Sequence, residues 1–83
     1  MKLHELKIKS EYACPKLVGL KPFEIRLNDR DYHVGDIVHY ICPDNDSINA
    51  ILKEKFYQII FMTSYMQQEN YIVYAERELK EVK

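Results

Sequence analysis

Short segments in which polar and apolar residues alternate constrain the fold of this chain more than any other sequence feature. Alternation with a period of two predicts half-buried β-strands. It occurs over residues 2–9, 23–27 and 71–76. Residues 37–42 predict a further strand, which ends before Pro43. The 83 residues allow one hydrophobic core and not two. The sequence therefore predicts a single domain, with a charged and frayed tail over residues 77–83.

The segments between these strands contain turn residues and one helix signal. Ser10 is suited to cap a helix over residues 11–18, and Gly19 is suited to end it. Pro15 lies inside that helix and predicts that it is short or kinked. Residues 32–34 read as a brief extended piece before a tight turn at Gly35 and Asp36.

The second half of the chain predicts a loop, a long strand and a turn. Residues 43–49 have the strongest turn composition in the chain. Residues 50–65 are long and apolar, so a helix competes there with a strand. Isoleucines and aromatic residues favour a strand with a bulge or bend. With a turn over residues 67–70, the whole pattern predicts a mainly β, α+β fold with one or two short helices. The arrangement expected is a small, partly closed barrel of about five strands.

Charge and cysteine content limit the classes of function. The net charge of −1 argues against a strong general nucleic-acid binder. Residues 1–30 nevertheless contain seven basic and four acidic side chains, against five and nine in residues 31–83, which permits a local basic site. Cys14 and Cys42 are too few for a disulfide framework, and we expect reduced, buried thiols in a cytoplasmic protein. No segment has the length of a membrane span or the pattern of a signal peptide.

Histidines and aromatic residues allow two further predictions. His4, His33 and His39 lie in different elements without ligand spacing, so we expect no metal and no cofactor. His33 is expected in a turn and His39 as a half-exposed strand residue. Six aromatic residues could form a base-stacking platform, although packing in the core and across strands is the preferred interpretation. They are Phe56, Tyr57, Phe61, Tyr65, Tyr71 and Tyr74.

One charged motif carries most of the functional information. Residues 19–26 read G-x-K-x-x-E-x-R, followed by N-D-R-D at 28–31 and V-G-D at 34–36. Glu24 and Arg26 lie two apart on a strand, so their side chains share a face about 7 Å apart. Lys21 lies at the corner between helix and strand. A cation, an anion and a second cation can therefore converge in a partly dry cleft suited to a phosphate, a nucleobase edge or another small polar ligand.

This motif resembles the ASCH domain, the activating signal cointegrator homology module of the PUA-like superfamily. Within it the chain looks closest to a compact bacterial and phage-borne subfamily that opens with a His-Glu-Leu-Lys strand, as residues 4–7 do here. The resemblance covers residues 4–41, and the later strands match in pattern only. It implies RNA or a nucleotide as the partner, bound between helix and barrel. The residues implied as its site are Lys21, Glu24 and Arg26, then Asn28, Asp29 and Arg30, with His4 and Tyr12 beside the cleft.

Two departures from the resemblance leave alternatives open. Pro22 replaces a Thr that is frequent in the family, and Pro has neither a hydroxyl nor a backbone N–H. One ASCH branch hydrolyses acetylated cytidine with a Lys and a Thr nucleophile, and this chain has Glu24 at the Thr position. The leading hypothesis is a non-catalytic RNA- or nucleotide-binding module. The alternatives are a small amidohydrolase or ribonuclease using Lys21 and Glu24 as an acid/base pair, and a protein-interaction domain using a strand edge.

Overall fold

The chain folds as a mainly β protein of five strands and two short helices, as the sequence predicts. The computed structural model describes residues 1–64 and 66–80. The strands are β1 (Leu3–Lys7), β2 (Phe23–Leu27), β3 (Ile37–Ile41), β4 (Phe56–Thr63) and β5 (Tyr71–Leu79). The helices are α1 (Ser10–Leu17) and α2 (Asp46–Leu52). No helix of the described segments is long and apolar enough to cross a membrane.

The five strands form one mixed sheet that curls into a half-barrel. Their order is β1-β3-β4-β5-β2, with β1 parallel to β3 and every other pair antiparallel. The edge strands β1 and β2 lie close together. The Nη2 atom of Arg26 on β2 donates a hydrogen bond of 3.1 Å to the Lys7 carbonyl on β1. The open side of the half-barrel therefore lies between β1 and β2.

The core fills the concave side of the sheet. Alternation along each strand directs one set of side chains inward, and Val38, Tyr40 and Tyr74 are fully buried there. The helices contribute Ala13 and Leu52, which close the core from the side. Because few residues make up this core, the free energy of folding depends strongly on each of them.

Helix α1 begins one residue before the prediction, and the predicted Ser10 cap is wrong. Lys9 is the N-cap residue and its side chain makes no capping hydrogen bond. The Ser10 N–H instead donates to both carboxylate oxygens of Asp44, at 3.2 and 3.3 Å. Pro15 lies inside the helix, which ends two residues later, and Gly19 follows with φ +81°. The short helix and its glycine-assisted end are therefore confirmed.

Helix α2 replaces part of a predicted loop and strand. Asn45 accepts a hydrogen bond of 3.0 Å from the Ile48 N–H and so caps this helix. The predicted strand over residues 50–65 is therefore wrong in its first part and begins at Phe56. Its predicted bulge is confirmed, because the register between β4 and β5 shifts between Ile59 and Phe61. Tyr65 lies outside the described residues.

Several local predictions also require correction. The predicted extended piece over residues 32–34 is not a strand, although its Tyr32 is buried. Residues 77–79 belong to β5 rather than to a tail, and residues 81–83 lie outside the described residues. Cys42 is buried as expected, whereas Cys14 is exposed.

The predictions for His33 and His39 are confirmed, and the packing prediction for the aromatic residues is confirmed in part. His33 lies exposed at the turn, and His39 is half-buried on β3. Tyr57 and Tyr74 belong to the core, as the packing interpretation predicts. The remaining described members of the aromatic set are exposed, Phe56 at 39%, Phe61 at 60% and Tyr71 at 36%, so the packing interpretation holds for part of the set.

Candidate functional site

Strand β2 directs its charged face into the half-barrel and its apolar face outward. Glu24 is only 4% exposed, whereas Ile25 beside it is 55% exposed. The cross-strand neighbours of Glu24 and Arg26 on β5 are Tyr74 and Ile72, both core residues. The predicted alternation is confirmed, and the charged face is the buried one. A buried carboxylate requires compensating charge, and three cations supply it.

Both carboxylate oxygens of Glu24 are occupied by cations. Oε2 lies 2.9 Å from the Lys16 Nζ and 3.3 Å from the Lys21 Nζ, and Oε1 lies 3.1 Å from the Arg26 Nε. Burial alone would raise the pKa of Glu24, but the attraction of Lys16, with that of Arg26 and Lys21, outweighs it and lowers the pKa. Glu24 is therefore a fixed negative charge that orients the cations around it.

Lys16 connects Glu24 to a second buried carboxylate, Glu76. The Lys16 side chain is 1% exposed, and its Nζ forms an ion pair with Glu76 Oε2. The Tyr40 hydroxyl donates to the other oxygen of Glu76 and lies 2.8 Å from the Tyr74 hydroxyl. Burial raises the pKa of Glu76, and the negative charge of Glu24 adds to that rise against the opposing effect of Lys16. This buried network supports the charged face of β2 from beneath.

Sequence reasoning overlooked Lys16 and Glu76, although each left a signal. Lys16 lies three residues after the buried Ala13, and this spacing places both on one face of α1. Glu76 continues the face that Ile72 and Tyr74 form on β5. A charged residue on an apolar face requires a partner of opposite charge. Applied to both elements, that rule would have predicted the ion pair.

Arg26 is held in one orientation by three contacts. Its Nε donates to Glu24 and its Nη2 to the Lys7 carbonyl, and its Cζ lies 5.9 Å from the centroid of the Tyr40 ring. Burial alone would lower the pKa of Arg26, but the Glu24 carboxylate outweighs it and raises the pKa. The planar guanidinium is thus preorganised, which reduces the entropy lost when it binds an anion.

A cavity of about 440 Å³ opens between β1, α1 and β2. Its lining residues are Lys7, Ile8, Lys9, Tyr12, Lys21, Glu24, Ile25 and Arg26. We call it the first cavity. The Lys21 Nζ lies 5.5 Å from the Tyr12 ring centroid and 5.1 Å from that of Phe23, so aromatic rings flank the ammonium group. Lys21 and Arg26 therefore share one cavity, as the charged motif predicts.

A second cavity of about 500 Å³ lies on the other side of Arg26. Its lining residues are Glu5, Leu6, Lys7, Arg26, Leu27, Asp29, Arg30, Tyr32 and Ile41. We call it the second cavity. Lys7 and Arg26 line both cavities, and the hydrogen bond between them marks the boundary.

The structure brings most of the predicted site residues to these two cavities. Lys21, Glu24, Arg26 and Tyr12 line the first cavity, and Arg26 continues into the second with Asp29 and Arg30. The other two predicted residues have different surroundings. Asn28 is exposed, and its N–H donates to the Asn70 carbonyl at 2.7 Å. His4 is buried against Asp36, with 2.8 Å between Nε2 and Oδ2, and its ring contacts Tyr32.

The donor set of the site is suited to anions and polar ring edges. Over residues 1–64 and 66–80 we find no group of three or more His, Cys, Asp or Glu side chains that could hold a metal ion. Four basic residues line the first cavity, and its one acidic residue, Glu24, is already engaged by three cations. An entering ligand would therefore meet an excess of positive charge beside an aromatic ring.

Fold and site together define a class of small half-barrel proteins with a cationic cleft between the edge strands of the sheet. A comparison with protein families identifies one match, which covers residues 3–75. The chain belongs to that family, which is described as "Domain of unknown function (DUF3850)". A comparison with curated proteins gives no significant match.

Proposed function

We propose that this protein is a PUA-like module of the ASCH type that binds RNA or a nucleotide in the cleft between α1, β1 and β2. The observation that carries the proposal is the shared cavity of Lys21 and Arg26, to which Lys7 and Lys9 add positive charge. Clustered cations at a concave surface attract phosphate groups. With its reduced cysteines, such a protein is expected in the cytoplasm of a bacterium or a phage-infected cell.

Each residue of the first cavity has a role in this proposal. Arg26 and Lys21 bind a phosphate or an acceptor edge of a base. Glu24 orients both cations and does not itself contact the ligand, because its two oxygens are already occupied. Tyr12 is 49% exposed at the rim, where its ring can stack on a base.

The rival proposal of an acid/base enzyme has less support in the site. A general base works best when its pKa lies near the working pH. The cations around Glu24 lower its pKa below the ordinary carboxyl value, so this carboxylate is a weak base at neutral pH. Incubation with N4-acetylcytidine and with single-stranded RNA, analysed by mass spectrometry, tests the rival. Product that depends on Lys21 would favour the enzyme over the binding module.

The outer face of the sheet favours a protein-interaction role as a second candidate. Phe23, Ile25 and Leu27 project outward from β2 and are each at least 39% exposed. Exposed apolar side chains in one row are typical of interaction surfaces. The sequence suggested a strand edge as the interaction surface. The edge of β2 borders the cleft, and the exposed apolar surface is the outer face of this strand instead. Light scattering that gives the mass of a dimer would support this candidate.

The binding proposal is tested by titrating a fluorescently labelled single-stranded RNA with the protein and measuring anisotropy. The Lys21→Ala, Arg26→Ala double variant should bind at least about tenfold more weakly, since each charge-assisted hydrogen bond contributes about 1.5–3 kcal/mol. Its dependence on salt should also be shallower, by about 0.7 in logarithmic slope for each lost phosphate contact. Circular dichroism verifies that the double variant is folded.

A matched control removes two positive charges elsewhere. The Lys53→Ala, Lys80→Ala double variant changes exposed lysines that do not line either cavity. Its affinity should stay within about twofold of the wild type, because charges beyond the contact region are screened by salt. Equal binding by the wild type and the Lys21, Arg26 variant would exclude this cleft as the binding site.

A further inference from the structure

The two cavities are neighbours that meet at the Arg26–Lys7 hydrogen bond. Their volumes are about 440 and 500 Å³, and each lies in the range of ordinary small-ligand sites. The proposed function requires only the first cavity. A mononucleotide placed there would leave the second cavity, with Asp29 and Arg30, without a role.

We propose that the cleft recognises two adjacent nucleotides of a single strand, with one base in each cavity and the joining phosphate on Arg26. The ligand class is then a dinucleotide unit within single-stranded RNA rather than a free nucleotide. This inference rests on the proposed function and adds a second subsite to it.

The position of Arg26 supports the assignment of the phosphate. Its Nε and Nη2 are engaged by Glu24 and the Lys7 carbonyl, and these contacts fix the guanidinium plane at the boundary. A guanidinium has five N–H donors, so further donors stay available to a phosphate oxygen. Lys7, an exposed residue of β1, lines both cavities as well. The boundary therefore places the oriented guanidinium of Arg26 where the joining phosphate would lie.

The chemistry of the second cavity fits a base rather than another phosphate. Its lining has three basic and two acidic residues, against four and one in the first cavity, so it attracts a second anionic group less strongly. The Asp29 carboxylate can accept hydrogen bonds and the planar Arg30 guanidinium can donate them, and side chains of these two kinds recognise base edges. Tyr32 forms an apolar floor, because its ring is buried against His4 and Tyr74.

The first cavity provides the other base position through different contacts. Ile8 gives it an apolar wall, and Tyr12 gives it an exposed ring. Lys9 and Lys21 add two basic residues to its lining. These contacts suit a stacked base with a flanking phosphate.

The test compares dinucleoside monophosphates with nucleoside monophosphates by isothermal titration calorimetry. All sixteen dinucleoside monophosphates and the four 5′-mononucleotides serve as probes, so no base preference is assumed. A dinucleoside monophosphate carries less negative charge than a mononucleotide, so tighter binding would not arise from charge. The best dinucleoside monophosphate should bind about tenfold or more tightly than the best mononucleotide, which is the gain expected from one additional bound base.

Two variants separate the subsites. Arg30→Ala, in the exposed loop after β2, should remove most of the dinucleoside gain and weaken mononucleotide binding by a much smaller factor. Lys9→Ala, which changes a residue that lines the first cavity and not the second, should weaken both classes of ligand by similar factors.

The outcomes distinguish this inference from the proposed function. Equal affinities for the two ligand classes, with Lys21 and Arg26 still required, would overturn the two-base subsite and leave the nucleotide site in place. A dinucleoside gain that Arg30→Ala leaves intact would also overturn the assignment of the second cavity. Absence of binding by every probe and by single-stranded RNA would overturn both proposals.

Discussion

Lys16 neutralises two buried carboxylates at once and is the residue on which the site most depends. Its ammonium group lies between Glu24 and Glu76, and its side chain is 1% exposed. Loss of one partner from a buried ion pair costs far more than the pair contributes, because the remaining charge stays in a medium of low dielectric constant. Here a loss of Lys16 would take from Glu76 its ion pair and leave Glu24 with Arg26 and Lys21.

The first prediction follows from this arrangement. Replacement of Lys16 by Met should lower the free energy of unfolding at pH 7 by about 3–5 kcal/mol, a large share of the stability of a small domain. Urea denaturation followed by circular dichroism measures the change. The added substitution Glu76→Gln should restore part of the loss, because it removes a buried carboxylate that has lost its ion pair.

The matched control is Lys21→Met. Lys21 also contacts Glu24, but its side chain is 24% exposed, so water can solvate the Glu24 carboxylate in its place. Its loss should therefore cost no more than about 1 kcal/mol. Similar stabilities of the Lys16→Met and Lys21→Met proteins would contradict the importance of the buried network.

At the scale of elements, the connection from α1 to β2 determines where Lys21 lies. Gly19 has φ +81°, and its N–H donates to the Lys16 carbonyl at 3.0 Å. The next N–H, of Leu20, donates to the Pro15 carbonyl at 2.8 Å. This left-handed turn ends the helix and directs the chain into β2, so the charged corner depends on a conformation that most residues adopt at a cost.

Substitution of Gly19 by Ala should therefore destabilise the protein by about 1 kcal/mol, the strain of the left-handed region less the gain from a stiffer unfolded chain. No atom lies within 4 Å of the Cβ that Ala would add, so the cost is conformational and not steric. Gly19→Asn is the control and should cost less, because Asn tolerates this conformation. Thermal denaturation compares the three proteins. A stability of Gly19→Ala equal to that of the wild type would refute the argument.

The strands were largely predictable from the sequence, and the second helix was not. Alternation at residues 2–9, 23–27 and 71–76 predicted three strands correctly. Successive side chains of a strand point to opposite faces of the sheet, whichever strand lies beside it. Helix α2 has seven residues, too few to form by local propensity alone, and depends on the burial of Leu52. Asn45, the N-cap of this helix, could not be recognised as a helix start, because Asn is favoured both at N-caps and in turns.

At the scale of the whole molecule, the cleft results from strand order, which the sequence pattern does not specify. Strand β1 pairs in parallel with β3, and β2 pairs with β5 at the other edge of the sheet. Curling of the sheet then brings Lys7 of β1 beside Arg26 of β2, 19 positions apart in the chain. The motif predicted Lys21, Glu24 and Arg26 as neighbours because they are close in sequence. It could not predict Lys7, since that contact exists only after the sheet curls.

The pairing of β1 with β3 also determines how the stability of the protein depends on acid pH. Asp36, at the start of β3, accepts hydrogen bonds of 3.0 Å from the backbone N–H groups of Lys2 and His33. Its Oδ2 also lies 2.8 Å from the His4 Nε2, so one carboxylate joins β1 to β3. Burial alone would raise the pKa of Asp36, but the hydrogen bonds of His4, Lys2 and His33 lower it to about 2.

A depressed pKa in the folded state makes the contribution of Asp36 depend on pH. In the unfolded chain its pKa is near the ordinary value of 3.8, so its contribution of about 2 kcal/mol is fully present above that pH. The contribution is lost as the pH falls towards 2. The stability difference between the wild type and Asp36→Asn should therefore shrink by about 1.5 kcal/mol between pH 5 and pH 2.5, and the rest should be lost below pH 2. Urea denaturation across that range measures it.

The control for this titration is Asp31→Asn, which changes an aspartate whose side chain is 74% exposed. Its effect on stability should stay within about 0.5 kcal/mol at every pH, because exposed substitutions change little. A difference between the wild type and Asp36→Asn that does not vary with pH would show that the carboxylate contributes through shape alone. The attachment of β1 to β3 would then not depend on the charge of Asp36, and acid unfolding of the half-barrel would have to begin at another group, such as Glu24.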